Sequence, residues 1–127
     1  MPIINFQKQF IEAIKSGEKN QTIRKSRKYP IKVGDTLYLY AGLRTKNAEK
    51  LKEVKCEAVA PITINGTGSV QIGWLMIYHM KDLNEFAQSD GFDNWQDMVI
   101  WFNNIHGLPF EGQLIKWNNG QRDSTAI

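Results

Sequence analysis

Between Gly17 and Arg24 the chain sets a lysine, two amide side chains, a threonine and an arginine within a single short run, Gly-Glu-Lys-Asn-Gln-Thr-Ile-Arg. A threonine hydroxyl is a weak nucleophile until a base takes its proton. A lysine removed from water has a lowered pKa and can act as that base. Gly17 allows a sharp backbone turn ahead of these residues, and a polar run of this kind either meets water or lines a cleft. On an extended chain Asn20, Thr22 and Arg24 share one face and Gln21 and Ile23 the other. Lys19 must then sit in the turn, before alternation begins, if it is to meet Thr22. The competing reading of this run is an exposed edge strand guarded by charge.

Other residue types narrow the chemistry. Cys56 is the one cysteine; it lies in an apolar stretch and is expected to pack as a thiol, with no disulfide. His79 and His106 are far apart and lack metal-ligand spacing, so neither a metal nor a cofactor is expected. Charge divides unevenly. Residues 1–55 carry 13 Lys/Arg against 5 Asp/Glu, and residues 56–127 carry 3 against 8. A half this basic suits a polyanion, because lysine and arginine displace condensed counterions from phosphates; it equally suits a solvated surface. Arg24, Lys25, Arg27, Lys28, Arg44 and Lys46 are candidates for a phosphate-binding rim. Tyr38 and Tyr40 project to one face of a strand, where a base could stack on them or where the rings could be half-buried by packing.

The elements that must position these groups follow from pattern. Phe6, Phe10, Ile11 and Ile14 recur at helical spacing and predict a helix over residues 6–16, capped by Asn5 and ended by Gly17. Asn20–Arg24 is short and extended, and Lys25–Pro30 is a basic loop. Thr36–Tyr40 alternates as a strand. Glu53–Ile64 reads as a strand that Pro61 could break, Asn65-Gly66 as a turn, and Ser69–Met80 as another strand. Asp82–Glu85 has the form of a capping box opening a helix that stops near Asp90-Gly91, where Asp90 ends it. Asp93–Gln96 resembles a second box ahead of the apolar stripe Trp95, Met98, Val99, Phe102 and Ile105. Trp101 falls off that stripe, whereas Trp74, Trp95 and Trp117 are expected in the core. Phe110–Trp117 closes as a strand. Strands and helices do not alternate regularly, which predicts α+β with a mixed or antiparallel sheet.

The whole of this pattern resembles the ASCH domain family, a branch of the PUA-like β-barrels. Gly17–Arg24 is similar to the family signature, Phe6–Ile14 to its leading helix, and Gly34-Asp35 with the strand to Tyr40 to its Gly-Asp strand. Gly42–Lys46, Asp90-Gly91-Phe92, Trp101-Phe102 and Gly107–Phe110 fall in the family's order, so the resemblance covers residues 4–117. It implies a small α+β, PUA-like mixed β-barrel with a leading helix and two helices before the last strand. The expected organisation is one domain over residues 1–120 and a frayed tail over 121–127. The resemblance also implies RNA or a modified nucleoside as partner. Some family members are amidohydrolases that deacetylate N4-acetylcytidine with a lysine, a threonine and an acid; the resemblance implies Lys19 as base and Thr22 as nucleophile, with N–H groups near Gly17 to hold the oxyanion, and Asp90 stands where that branch has glutamate. The expected function is thus a metal-independent hydrolase of this kind. A non-catalytic RNA-binding module and a metal-independent ribonuclease are the alternatives. No apolar run approaches the ~20 residues needed to cross a bilayer, and no secretory signal is visible, so a cytoplasmic location is expected.

Overall fold

A computed structural model describes residues 2–118. The tail expected over residues 121–127 lies outside the described residues. The fold is α+β: a mixed sheet of seven strands with three α-helices. The strands are β1 (Ile3–Phe6), β2 (Gln21–Arg24), β3 (Thr36–Ala41), β4 (Glu49–Asn65), β5 (Ser69–Ile72), β6 (Leu75–Ile77) and β7 (Phe110–Trp117). The helices are α1 (Ile11–Ser16), α2 (Met80–Ser89) and α3 (Trp95–Ile105). No described helix is long and apolar enough to cross a membrane.

The long β4 organises the sheet. Its first half pairs antiparallel with β3, from Thr36↔Lys55 to Ala41↔Glu49. Its second half pairs with β7 along one edge, and its end pairs with β5. The register slips between Cys56 and Ala58, where the strand passes from one partner to the next. β1 adds parallel to β3, and β2 adds antiparallel to β7. Alternation in β3 buries Leu37, Leu39 and Ala41 and leaves Tyr38 and Tyr40 half-buried. Leu37 and Leu39 join Ile14, Ile62, Phe102 and Trp117 in one core, and Cys56 packs in it as a buried thiol.

The closed barrel is not formed. β1 and β2 each lie at an end of the sheet, with no backbone ladder between them among the described residues. Side chains cross that seam instead: Arg24 donates to Asn5 O at 2.8 Å and Arg27 to Ile3 O at 3.0 Å. Guanidinium N–H groups thus satisfy carbonyls that a closing strand would otherwise engage.

Several expected boundaries move. The leading helix begins later, as a 3-10 turn over Lys8–Phe10 followed by α1, because β-branched Ile3 and Ile4 and the residues after them pair with β3 as β1. Asn5 therefore caps nothing; its side chain accepts from Leu43 N at 3.1 Å. Pro61 does not break β4, since it lies just outside the β5 ladder, which begins at Ile62↔Ile72. The strand expected over Ser69–Met80 is a hairpin, because Gly73 turns it at φ 60°. α2 starts at Met80, ahead of the presumed box, and the cap of α3 is Asn94, whose side chain accepts from Asp97 N at 2.8 Å. Trp95 and Trp117 are buried, but Trp74 sits on the hairpin turn and is 98% exposed.

Candidate active site

The left-handed Gly17 (φ 91°) ends α1 and reverses the chain. Lys19 N–H then donates back to Ala13 O at 2.9 Å, which fixes the turn. Lys19 thus precedes β2, as the parity of Thr22 requires, and its side chain runs inward to 2% exposure. The N–H groups of this turn are committed to closing the helix: Gly17 to Ile14 O, Glu18 to Ser16 Oγ. They are not available as oxyanion donors. β2 is an edge strand, paired to β7 on one side, but it is not exposed: Gln21, Thr22 and Ile23 are all buried.

Asp90 arrives from the far side of the fold. It closes α2, with its N–H bonded to Phe86 O and Ala87 O, and Gly91 follows at φ 97°. Lys19 Nζ donates to the Asp90 backbone carbonyl at 2.5 Å and lies 3.3 Å from its carboxylate. Gln21 Nε2 donates to the same carboxylate at 3.3 Å. Two residues on one parity of the signature, Lys19 and Gln21, therefore hold one buried acid. On the other parity, Arg24 Nε donates to Thr22 Oγ1 at 3.0 Å. A hydroxyl has two acceptor lone pairs and one proton. The arginine uses one lone pair and leaves the second, and the proton, for chemistry.

Lys19, Thr22, Arg24 and Asp90 border a cavity of about 410 Å³, a volume in the range of small-molecule sites, and Gln21 holds Asp90 from behind it. Phe6, Phe10, Phe92, Trp101 and Phe102 wall it. Lys19 Nζ lies 4.9 Å from the Phe10 ring centre, and the Arg24 guanidinium 4.8 Å from that of Phe6. Trp101, off the main stripe of α3, turns toward the cavity, edge-on to Phe10 at 6.3 Å, and donates to Gln7 Oε1 at 3.3 Å.

Burial dominates the electrostatics. It lowers the Lys19 pKa, and the Asp90 charge opposes that shift. It raises the Asp90 pKa, opposed by Lys19. Burial pushes both groups toward their neutral forms, and their mutual attraction pushes them back toward the charged ones. Burial brings Arg24 down to about 10, which still leaves it cationic at neutral pH. His106, at the cavity rim, is lowered by burial and by the nearby charges of Lys25 and Arg24.

Of the residues singled out from sequence, Lys19, Thr22, Asp90, Arg24 and Lys25 border this one cavity. Thr22 Oγ1 is bonded to Arg24 and, among the described residues, to neither Lys19 nor Asp90. Tyr38 borders a different cleft, of about 660 Å³, with Arg27, Tyr29 and Lys32. Tyr40, Arg44 and Lys46 border neither. Arg44 and Lys46 occupy the loop after β3, which the Leu43–Asn5 bond tethers beside the cavity. Gln21, Phe10, Phe92 and His106 were not anticipated at the site. The displacement of Trp101 from its stripe was the one sequence signal for the aromatic wall. No protein-family model matches the chain, and no curated protein or solved structure matches it either.

Proposed function

We propose that this chain is an ASCH-type domain of PUA-like ancestry that hydrolyses the amide of an N4-acylated cytidine, as a nucleoside or within RNA. The observation that carries the reading is the buried Lys19–Asp90 pair in an aromatic cavity that Thr22 also borders. The aromatic walls suit a flat base. Neutral Lys19 takes the Thr22 hydroxyl proton, directly or through one water, as Oγ1 attacks the acyl carbon. Negative charge then develops on the acyl oxygen, and the Arg24 guanidinium stabilises it in place of the committed Gly17 turn. The Lys19–Asp90 pair returns a proton to the departing cytosine N4. Water, deprotonated by the same lysine, releases the acyl group as a carboxylic acid and restores Thr22.

Incubation of purified protein with N4-acetylcytidine should release cytidine and acetate. Lys19→Ala and Thr22→Ala should each lower kcat/KM by roughly 10²-fold or more, in the range of lost acid–base or nucleophilic assistance. Absence of turnover, or full turnover in Lys19→Ala, would sink the hydrolase reading.

A second reading is favoured by one observation, the bond that ties Thr22 Oγ1 to Arg24 rather than to the lysine. It makes the domain a non-catalytic RNA-binding module. Single-stranded RNA would then bind with an affinity that falls steeply with salt, and no product would form. RNA cleavage that survives EDTA and disappears in Lys19→Ala would instead assign the cavity to a ribonuclease.

A further inference from the structure

The proposed reaction leaves unused the second cleft, of about 660 Å³, at the start of β1, where Pro2 lines it. Its walls are basic and aromatic. Tyr29 stands 79% exposed on the loop after β2, and Tyr38 is half-buried on β3. A ring as exposed as Tyr29 contributes little to the core and is a platform on which a base can stack. Lys28 Nζ lies 5.6 Å from the centre of the Tyr29 ring. Lys50, itself paired with Glu53, lies 5.4 Å from that of Tyr38. Arg27 and Lys32 line the cleft, and Lys55 reaches it by donating to Thr36 Oγ1 at 2.8 Å. Asp35 is the one acid in the lining among the described residues, and its Oδ2 accepts from Lys32 N at 2.9 Å.

One loop joins this cleft to the active cavity. Tyr38 N donates to Pro2 O, which leaves the carbonyls of Ile3 and Asn5 on the opposite edge of β1. Arg27 donates to the first and Arg24 to the second, two strand positions apart, about 7 Å. Residues 25–30 therefore follow that edge, from Lys25 and Asn5 at the active cavity to Tyr29 and Pro2 at the cleft. A chain leaving the cavity along this loop has cations beside it throughout, the complement of a phosphodiester backbone. Asp35 inside the cleft keeps phosphates at the lysine-bearing rim, and a carboxylate oxygen suits a ribose hydroxyl. We propose that the cleft is a second nucleotide subsite: it holds a nucleotide flanking the modified base of a single-stranded RNA, stacked on Tyr29 beside Tyr38, with its phosphates on Arg27 and Lys32. The inference rests on the reading of the active cavity as a base site, in a hydrolase or in a binding module. Binding reads it, so an absence of turnover alone does not touch it.

Fluorescence anisotropy with an end-labelled single-stranded RNA, N4-acetylcytidine at its centre, is the test. Tyr29→Ala should weaken binding roughly 10-fold, the scale of one lost base–aromatic stack, and Tyr29→Phe should restore it. Lys32→Ala should reduce the log–log salt slope by about 0.7. Neither residue borders the active cavity, so both variants should treat free N4-acetylcytidine as the wild type does. The DNA oligomer of the same sequence should bind more weakly, since it lacks the 2′-hydroxyl. No RNA binding by the wild type, or an affinity that Tyr29→Ala and Lys32→Ala both leave unchanged, overturns the subsite, whatever becomes of the free nucleoside. Altered handling of the free nucleoside in the same variants also overturns it, because the two clefts would not then be separate. Equal affinity for the RNA and the DNA overturns the ribose contact at Asp35.

Discussion

Lys19 and Asp90 each oppose what burial does to the other, and this sets the direction of a pH effect. Burial holds the lysine below its ordinary 10.5, and the Asp90 charge pulls it back up. If neutral Lys19 is the base, kcat/KM for N4-acetylcytidine rises with pH as the ammonium loses its proton, with a midpoint below the ordinary lysine value. Asp90→Asn removes the carboxylate that favours the ammonium. The Lys19 pKa must then fall further, and the acid limb of the profile must move to lower pH. The substitution is mild: the backbone carbonyl of residue 90 still accepts from Nζ, and an amide oxygen can still accept from Gln21. Profiles of kcat/KM against pH for both proteins read the shift. An acid limb that stays in place, or moves up, contradicts Lys19 as the base. The apparent midpoint in the wild type belongs to the pair.

At the scale of elements, the site depends on how tightly the turn after α2 meets Phe10, just ahead of α1, and the stem of Lys19, just after it. A Cβ on Gly91 would lie 2.9 Å from Phe10 Cδ1 and 3.1 Å from Lys19 Cδ, at a φ of 97° that side chains rarely adopt. Gly91→Ala should therefore cost about 2–4 kcal/mol in urea unfolding, from the left-handed backbone and the forced repacking together. It should also lower kcat, since the lysine stem is what the new methyl displaces. A loss below 1 kcal/mol would mean that the turn relaxes freely. The same junction shows what sequence could and could not convey. Gly17, the turn that sets Lys19 ahead of β2, and the alternation of Thr36–Tyr40 were legible, because each is a local matter of backbone permission or period. β1 was hidden inside an apparent helix start, since Phe6 serves a strand whose parallel partner is distant in sequence. Gln21 was assigned to the face opposite Thr22, which was correct, but that this face meets Asp90 is a long-range fact. Trp74 was placed in the core on residue type alone; the turn at Gly73 puts it in solvent. The seam between β1 and β2 was equally invisible, because arginines that look like a surface rim spend their donors on β1 carbonyls.

Over the whole molecule, charge separates a free nucleoside from a polynucleotide as substrate. Residues 1–55 hold 13 of the 16 lysines and arginines. Lys25 borders the cavity, and the loop bearing Arg44 and Lys46 is tied through Leu43 N to Asn5, which borders it too. A strand whose modified base enters the cavity would run its phosphates past these groups. N4-acetylcytidine itself carries no charge, so its KM should vary little with salt. For a single-stranded RNA with the modified base at its centre, KM should rise with salt, with a log–log slope of about 0.7 for each phosphate neutralised. Lys25→Ala and Arg44→Ala should each reduce that slope by about 0.7, leaving kcat on the free nucleoside unchanged. Arg24 is predicted to behave differently. Its guanidinium is engaged with Thr22 and Asn5 inside the fold, so Arg24→Met should lower turnover of the nucleoside and the RNA alike. Steady-state kinetics on both substrates across a salt series decide the matter. Equal salt insensitivity would confine the substrate to the free nucleoside and make the basic half a solvated surface.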